Sequence, residues 1–332
     1  MSFDWTGKKI LVTGAGGFIG SHLTQRLVEL GADVRAFIRY NSRGDIGLLS
    51  YLPDNHLERV EIVPGDLRDM HGVLGALDGM DMVFHLGALI AIPYSYLHPA
   101  EVVETNVTGT LNILMAARQH RTPRVIHTST SEVYGTALRV PIDEDHPLQG
   151  QSPYSASKIG ADKIAESFYC AYELPVVTVR PFNTYGPRQS DRAVIPTIIS
   201  QALTRDELHI GSLDTRRDFT YVADTVSGFI KTAEAGDEVL GNVYNLGTGV
   251  DVTIQEIIDT VFKITGKSLP IVQETARMRP EKSEVRRLIS DNRKAQAALG
   301  WEPRISFEEG LRLTVDWIGE NIKNYQPEEY QK

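Results

Sequence analysis

One cysteine, Cys170, stands in 332 residues. That excludes an internal disulfide and any metal centre built from several thiolates, and it fits a reducing compartment. Its expected place is the core side of a helix, as a small packed residue rather than a reactive thiol. Basic charge is also short. The 34 Lys and Arg face 43 Asp and Glu, and the net charge of -9 has the wrong sign for a nucleic-acid or anionic-membrane partner. No apolar run approaches the length of a membrane span, and the opening MSFDWTGKK lacks the apolar stretch of a secretory leader, so no membrane partner and a cytoplasmic location are expected. The nine histidines are scattered without ligand spacing, and no metal is expected. His85 and His127 fall on β-rich runs and read as core histidines. Repeats and low-complexity segments are missing too, with only a polar tail at 326–332.

What is present is a recurrence of short β-rich runs between amphipathic stretches: KKILVTG (8–14), VRAFI (34–38), VEIVPGD (60–66), MVFHLG (82–87), RVIHTST (124–130) and VVTVRP (176–181). SHLTQRLVEL and residues 100–120 carry apolar residues at helical spacing. Strands alternating with helices predict an α/β fold, a doubly wound parallel Rossmann sheet, with a smaller, interleaved C-terminal substrate domain. The expected division is 1–180 plus about 218–248 for dinucleotide binding, and 181–217 with 249–325 for the substrate.

TGAGGFIG places Gly14, Gly17 and Gly20 between the first β-run and a helix. The first glycine permits a tight turn, the second lets the backbone approach a pyrophosphate, and the third allows close packing of helix on strand. Phe18 and Ile19 in this loop, Leu67 after the third run, and Leu86 and Ala88 after the fourth are the accompanying cofactor contacts. An NAD site usually has an acid near the end of the second strand. This chain reads AFIRYNSRG there, so Arg39 and Arg43, with Asn41 and Ser42, are placed to meet the 2′-phosphate of NADP. The alternative is that these arginines are solvated and NAD is held by other contacts; the reading leans to NADP. Asp66 stands where a carboxylate would hold the adenine amino group, or simply form a turn.

Tyr154 and Lys158 are four apart, behind a Ser152-Pro153 helix start. On one helical face the ammonium lowers the phenol pKa and helps hold a nicotinamide ribose, which makes Tyr154 an acid/base for a carbinol. The glycine loop, TSTSEVYG at 128–135 and YSASK at 154–158 together resemble the extended short-chain dehydrogenase/reductase superfamily, specifically its nucleotide-sugar epimerases, dehydratases and decarboxylases. The likeness continues through RPFNTYGPR (180–188), RRDFTYVADT (216–225), YNLGTG (244–249) and MRP (278–280).

The resemblance implies roles. Tyr154 takes the proton of the sugar C4 hydroxyl, Lys158 supports it, and Thr130 donates to the C4 oxygen. Glu132 stands where 4,6-dehydratases carry a glutamate and plain 4-epimerases do not, as the base for C5. The dTDP-glucose dehydratases have Asp where this chain has Ser131, which is similar instead to GDP-mannose dehydratases and to the N-acetylglucosamine dehydratases of the legionaminic-acid pathway. UDP-glucuronate decarboxylases share the Thr-Ser-Glu-Val-Tyr-Gly stretch. YNS after the second strand and residues 180–199 look most like the UDP- or GDP-N-acetylglucosamine 4,6-dehydratases. Asn183, Arg188, Arg217 and Arg279 are the implied contacts of the nucleotide diphosphate, suited by planar bidentate donors among the arginines. The implied partners are a nucleotide-diphosphate sugar and a second subunit, paired through helices around 100–119 and 154–172. A decarboxylase, a 4-epimerase and a non-catalytic NAD(P)-sensing regulator are the alternatives.

Overall fold

The computed structural model describes residues 3–274, 277, 280–285 and 287–325. The chain runs through β1 (Lys9–Thr13), α1 (Phe18–Glu29), β2 (Asp33–Arg39), α2 (Asp54–Leu57), β3 (Val60–Gly65), α3 (Met70–Leu77) and β4 (Met82–His85). Then follow α4 (Ile92–Leu97), α5 (Pro99–Val103), α6 (Gly109–His120), β5 (Val125–Thr128), α7 (Pro153–Tyr172) and β6 (Val176–Pro181). The remainder comprises β7 (Thr184–Tyr185), α8 (Val194–Thr204), β8 (Leu208–Ile210), β9 (Arg216–Asp218), β10 (Thr220–Tyr221), α9 (Val222–Glu234), β11 (Val243–Leu246), β12 (Asp251–Thr253), α10 (Ile254–Thr265), β13 (Ile271–Gln273), β14 (Arg287–Leu288), α11 (Arg293–Leu299) and α12 (Phe307–Glu320).

Seven strands pair in parallel in the order β11-β6-β5-β4-β1-β2-β3, the doubly wound α/β sheet that the alternating pattern predicts. Strands covered by helices on both faces need apolar residues at successive positions. In β1, Ile10 and Val12 join the cluster containing Leu23 and Leu27 of α1 and Phe229 of α9, while Leu11 packs on the other side with Val73, Ile113 and Ala165. Strand order reverses between β1 and β4, which opens a crevice at the carboxyl ends of these strands.

Beyond β6 the elements are short. β9 lies between antiparallel β12 and parallel β14, and β8 pairs with β13. Ile195, Ile198 and Ile199 of α8, Ile257 and Ile258 of α10, and Leu311 and Ile318 of α12 continue the same apolar cluster that backs the large sheet. Among the described residues no helix is long and apolar enough to cross a membrane.

Two expectations change. Residues 100–120 predict one regular helix, but the turn Glu104–Thr108 between α5 and α6 is widened to a π-type turn. Asn106, 1% exposed, lies within it. Its side chain accepts the Leu89 N–H and donates to the Leu89 carbonyl and the Ser157 hydroxyl, and such bulges are frequent at functional sites. Cys170 is exposed rather than in the core. α7 buries Ala161, Ala165 and Phe168, and two residues past Phe168 the helix surface has turned to the opposite side.

Candidate active site

The crevice at the strand reversal holds a cleft of about 600 Å³. Gly14 adopts φ +69°, and a Cβ there would lie 2.8 Å from the amide nitrogen of Gly87. A Cβ on Gly20 would lie 2.2 Å from the Gly14 carbonyl oxygen, so α1 crosses the loop too closely for a side chain. The first turn of α1, from Gly17 through Phe18, Ile19 and Gly20, lines the cleft, and no side chain caps its amides. A bare backbone cradle at a helix N-terminus fits the pyrophosphate of a dinucleotide.

At the far end, Arg39, Asn41, Leu86 and Ala88 line the same cleft. Asp66 and Leu67 line an adjoining recess of about 130 Å³ that shares Gly14, Arg39 and Ala88 with it. Arg68 lies 2.6 Å from Asp66, and its hydrogen bond holds that carboxyl below the usual range. Arg39 sits 3.4 Å from Glu101. Ser42 and Arg43 are exposed and line neither space. The reason is local: the Asn41 side chain accepts the N–H groups of Arg43 and Asp45 and donates to the Asp45 carbonyl. This folds a tight turn that brings Asp45, Ile46 and Gly47 to the cleft. Asp45 is an acid that inspection of the β2 end alone misses; the turn-forming residues Asn41 and Gly44 were the available signal.

At the reacting end, Thr130, Ser131, Glu132 and Tyr154 meet on the cleft. Thr130 lies two residues beyond the end of β5, and its hydroxyl accepts the Glu132 N–H at 3.2 Å, starting the single helical turn Ser131–Tyr134. Ser152 caps α7 through a reciprocal pair: its hydroxyl accepts the Ser155 N–H, and the Ser155 hydroxyl accepts the Ser152 N–H. Pro153 follows in the first turn, which presents Tyr154 at the mouth of the helix. Lys158 lies beneath, 4% exposed, with Nζ donating to the Thr128 carbonyl at 2.6 Å. Burial pulls its pKa down to about 8, and Asp162 opposes the fall. Burial pushes the Tyr154 phenol up, Thr130 offsets part of this by hydrogen bonding, and Glu132 and Asp162 add to the rise by charge. The phenol of the bare site is therefore protonated, and the lowering expected from Lys158 does not appear, because burial outweighs it.

His85 is buried with its ring nitrogens on the Thr13 and Thr110 hydroxyls. Burial, with nearby His127 and Lys158, keeps it neutral. His127 is likewise buried, 3.0 Å from Asp162.

A second cavity of about 340 Å³ meets the cleft at Asn183, Thr184 and Gln189. The Asn183 Oδ1 is buried with no hydrogen-bond partner among the described residues. Arg217 lines this cavity with its guanidinium 3.2 Å from Glu284. Arg192 and Arg277 line it too; Arg192 lies within the 180–199 stretch that carries the resemblance but has no role implied there, and Arg277 stands outside the motifs with no sequence signal beyond its charge. Arg188 is not brought to either cavity. At φ +68° it turns to α1 and donates to Gln25 at 2.6 Å. Arg279 lies outside the described residues.

A family model described as GDP-mannose 4,6 dehydratase matches residues 11–314. The chain is 32% identical to the dTDP-D-glucose 4,6-dehydratase of Mus musculus, over 96% of this chain and 91% of the relative. It is 33% identical to the UDP-N-acetyl-alpha-D-glucosaminuronate decarboxylase of Bacillus cytotoxicus, over 94% and 98% respectively. Among solved structures, the dTDP-glucose 4,6-dehydratase of Streptomyces venezuelae, crystallised with NAD, is similar at a TM-score of 0.86 and 30% identity, covering 97% of this chain and all of that one.

Proposed function

The chain belongs to the GDP-mannose 4,6-dehydratase family of extended short-chain dehydrogenases/reductases, and from that premise we propose that it is a nucleotide-sugar 4,6-dehydratase acting on UDP- or GDP-linked N-acetylglucosamine. The observation that carries this reading is Glu132 on the same cleft as Tyr154 and Thr130, since a plain 4-epimerase has no chemical need for a carboxylate there.

Gly14, Gly17, Phe18, Ile19, Gly20, Leu86, Ala88 and Arg39 would hold a nicotinamide dinucleotide, with Asp66 and Leu67 at the adenine end. When bound, that group supplies the hydride acceptor for C4 and the donor for C6. Tyr154 takes the C4 hydroxyl proton once its own proton has left for solvent, a loss that the positive charge of a bound oxidised nicotinamide would favour, and Lys158 below it compensates the phenolate charge. Thr130 orients the C4 oxygen. A C4 ketone acidifies the C5 hydrogen, which Glu132 removes as the C6 hydroxyl departs. Ser131 is a poor acid by itself, so Glu132 also delivers its proton to the leaving hydroxyl; C5 regains a proton from solvent as C6 is reduced, equal to the one Tyr154 took from O4, and water is lost with no net oxidation. Asn183, at the junction with the second cavity, and Arg217, within that cavity, would hold the diphosphate and nucleotide. Arg39 favours NADP over NAD by charge, although Glu101 beside it and Asp45 across the loop weaken that preference. We further assign residues 1–180 with about 218–248 to the cofactor and the remainder to the nucleotide sugar, and infer pairing of two copies through α5, α6 and α7.

Decarboxylation is the second reading, favoured by the similarity to the Bacillus cytotoxicus enzyme and by Ser131. Mass spectrometry of the purified protein, incubated with UDP- and GDP-N-acetylglucosamine, GDP-mannose and UDP-glucuronate without reductant, separates them. Loss of water establishes the dehydratase and its sugar. Loss of carbon dioxide replaces that reading with the decarboxylase, an isomer of unchanged mass resolved by chromatography replaces it with the epimerase, and cofactor binding without any turnover supports a sensing regulator.

A further inference from the structure

Behind the cleft, one buried carboxylate touches both sides of the reacting segment. Asp162 lies four residues after Lys158 on α7, on the same helical face, and is 4% exposed. Its Oδ2 accepts from the Ser129 hydroxyl at 2.7 Å and from the Arg180 guanidinium at 2.9 and 3.2 Å, while Oδ1 meets His127 Nε2 at 3.0 Å. Arg180 also donates to the Tyr134 hydroxyl at 2.9 Å, and Tyr134 donates in turn to Asn245 of β11 at 2.7 Å. Ser129 and Tyr134 flank residues 130–132. The two ends of the segment that carries Thr130 and Glu132 are therefore anchored to one Asp162–Arg180 pair. Asp162, Arg180 and Tyr134 do not line the cleft, so none of them is a catalytic residue.

We propose that Asp162 is a positioning residue, which through Ser129 and the Arg180–Tyr134 bridge holds residues 130–132 in register with the Tyr154 face of α7. Burial opposes ionisation of Asp162, but the His127 hydrogen bond and the Arg180 charge outweigh it and hold the carboxyl at about 2, so the anchor is ionised throughout the working range. Asp162, Ser129, Arg180 and Tyr134 are all hydrogen-bonded, whereas His127 Nδ1 is buried without a partner among the described residues; the bonds that reach residues 130–132 are therefore made, and misplacement of a reacting group by about 1 Å costs roughly a hundredfold in rate.

The experiment is hydrogen-exchange mass spectrometry on the full chain, wild type against Asp162→Asn, with Ser129→Ala as the milder variant that leaves the Asp162–Arg180 pair intact. Faster exchange confined to residues 129–134, by about tenfold or more, with β1 to β3 unchanged, is expected in both. The kinetic arm rests on the dehydratase reading: kcat falls by roughly 10- to 100-fold with little change in KM, and the isotope effect of a C5-deuterated substrate grows because Glu132 is misplaced. Asp162→Glu restores part of kcat. Unchanged exchange at 129–134 in both variants overturns the proposal, as does a rise spread evenly over the sheet. Should the wild type turn over no nucleotide sugar, the dehydratase reading fails alone, and the exchange result still decides the role of Asp162.

Discussion

Lys158 Nζ lies 2.6 Å from the carbonyl oxygen of Thr128, so the helix that carries Tyr154 is tied by its lysine to the strand that leads into Thr130. The bond forms in a buried site, and burial lowers the lysine from 10.5 to about 8. Between these values the unfolded chain keeps a proton that the folded chain has released. The contribution of Lys158 to stability therefore rises with pH across that window and is constant and lowest below about 8. Urea denaturation of wild type and Lys158→Met at a series of pH values checks this: the difference in stability changes between pH 8 and 10.5 and is flat below.

On the proposed mechanism Tyr154→Phe removes the proton acceptor and keeps the ring, so turnover falls by about 10²- to 10⁴-fold while the affinity for NAD(P), measured by calorimetry, is little changed. Glu132→Gln suppresses water loss by a similar factor but leaves C4 oxidation intact, which the nicotinamide absorbance reports. A Tyr154→Phe variant with full turnover refutes the assigned role.

On the proposed NADP preference, cofactor choice turns on Arg39, since Ser42 and Arg43 are exposed and do not line the cleft. Arg39→Ala weakens NADP relative to NAD by about 1–2 kcal/mol, and Arg43→Ala leaves the ratio of the two dissociation constants unchanged. An unaltered ratio in Arg39→Ala would mean that NADP recognition does not pass through this residue.

Gly20→Ala places a methyl group 2.2 Å from the Gly14 carbonyl. The backbone has to move, at a cost of about 1–3 kcal/mol, read as a lower denaturation midpoint together with weaker cofactor binding. Gly75→Ala is the control, because nothing lies within 4 Å of the added carbon.

Much of the sheet is legible from runs such as Ile10, Leu11 and Val12 in β1, whose apolar residues at successive positions are what burial on both faces demands. The glycine spacing and the Ser152-Pro153 start likewise predict the cradle and the helix that presents Tyr154. Features governed by one side chain reaching across the fold are illegible at that level. The π-type turn at Glu104–Thr108 accompanies Asn106 bonding to Leu89 and Ser157, and no local propensity encodes those partners. Arg188 shares a motif with Asn183, yet its left-handed backbone sends it to α1.

The sequence by itself determined the alternation of strands and helices, the bare glycine loop and the spacing of Tyr154 and Lys158, because each follows from local sterics and the period of its element. Tertiary structure alone decided that Asp45 reaches the cleft while Arg43 does not, that Arg217 meets Glu284 at the second cavity, and that Asp162, through Ser129, Arg180 and Tyr134, grips both ends of the segment bearing Glu132. Those arrangements join residues distant along the chain, and only packing of the sheet against its helices brings them within hydrogen-bonding distance.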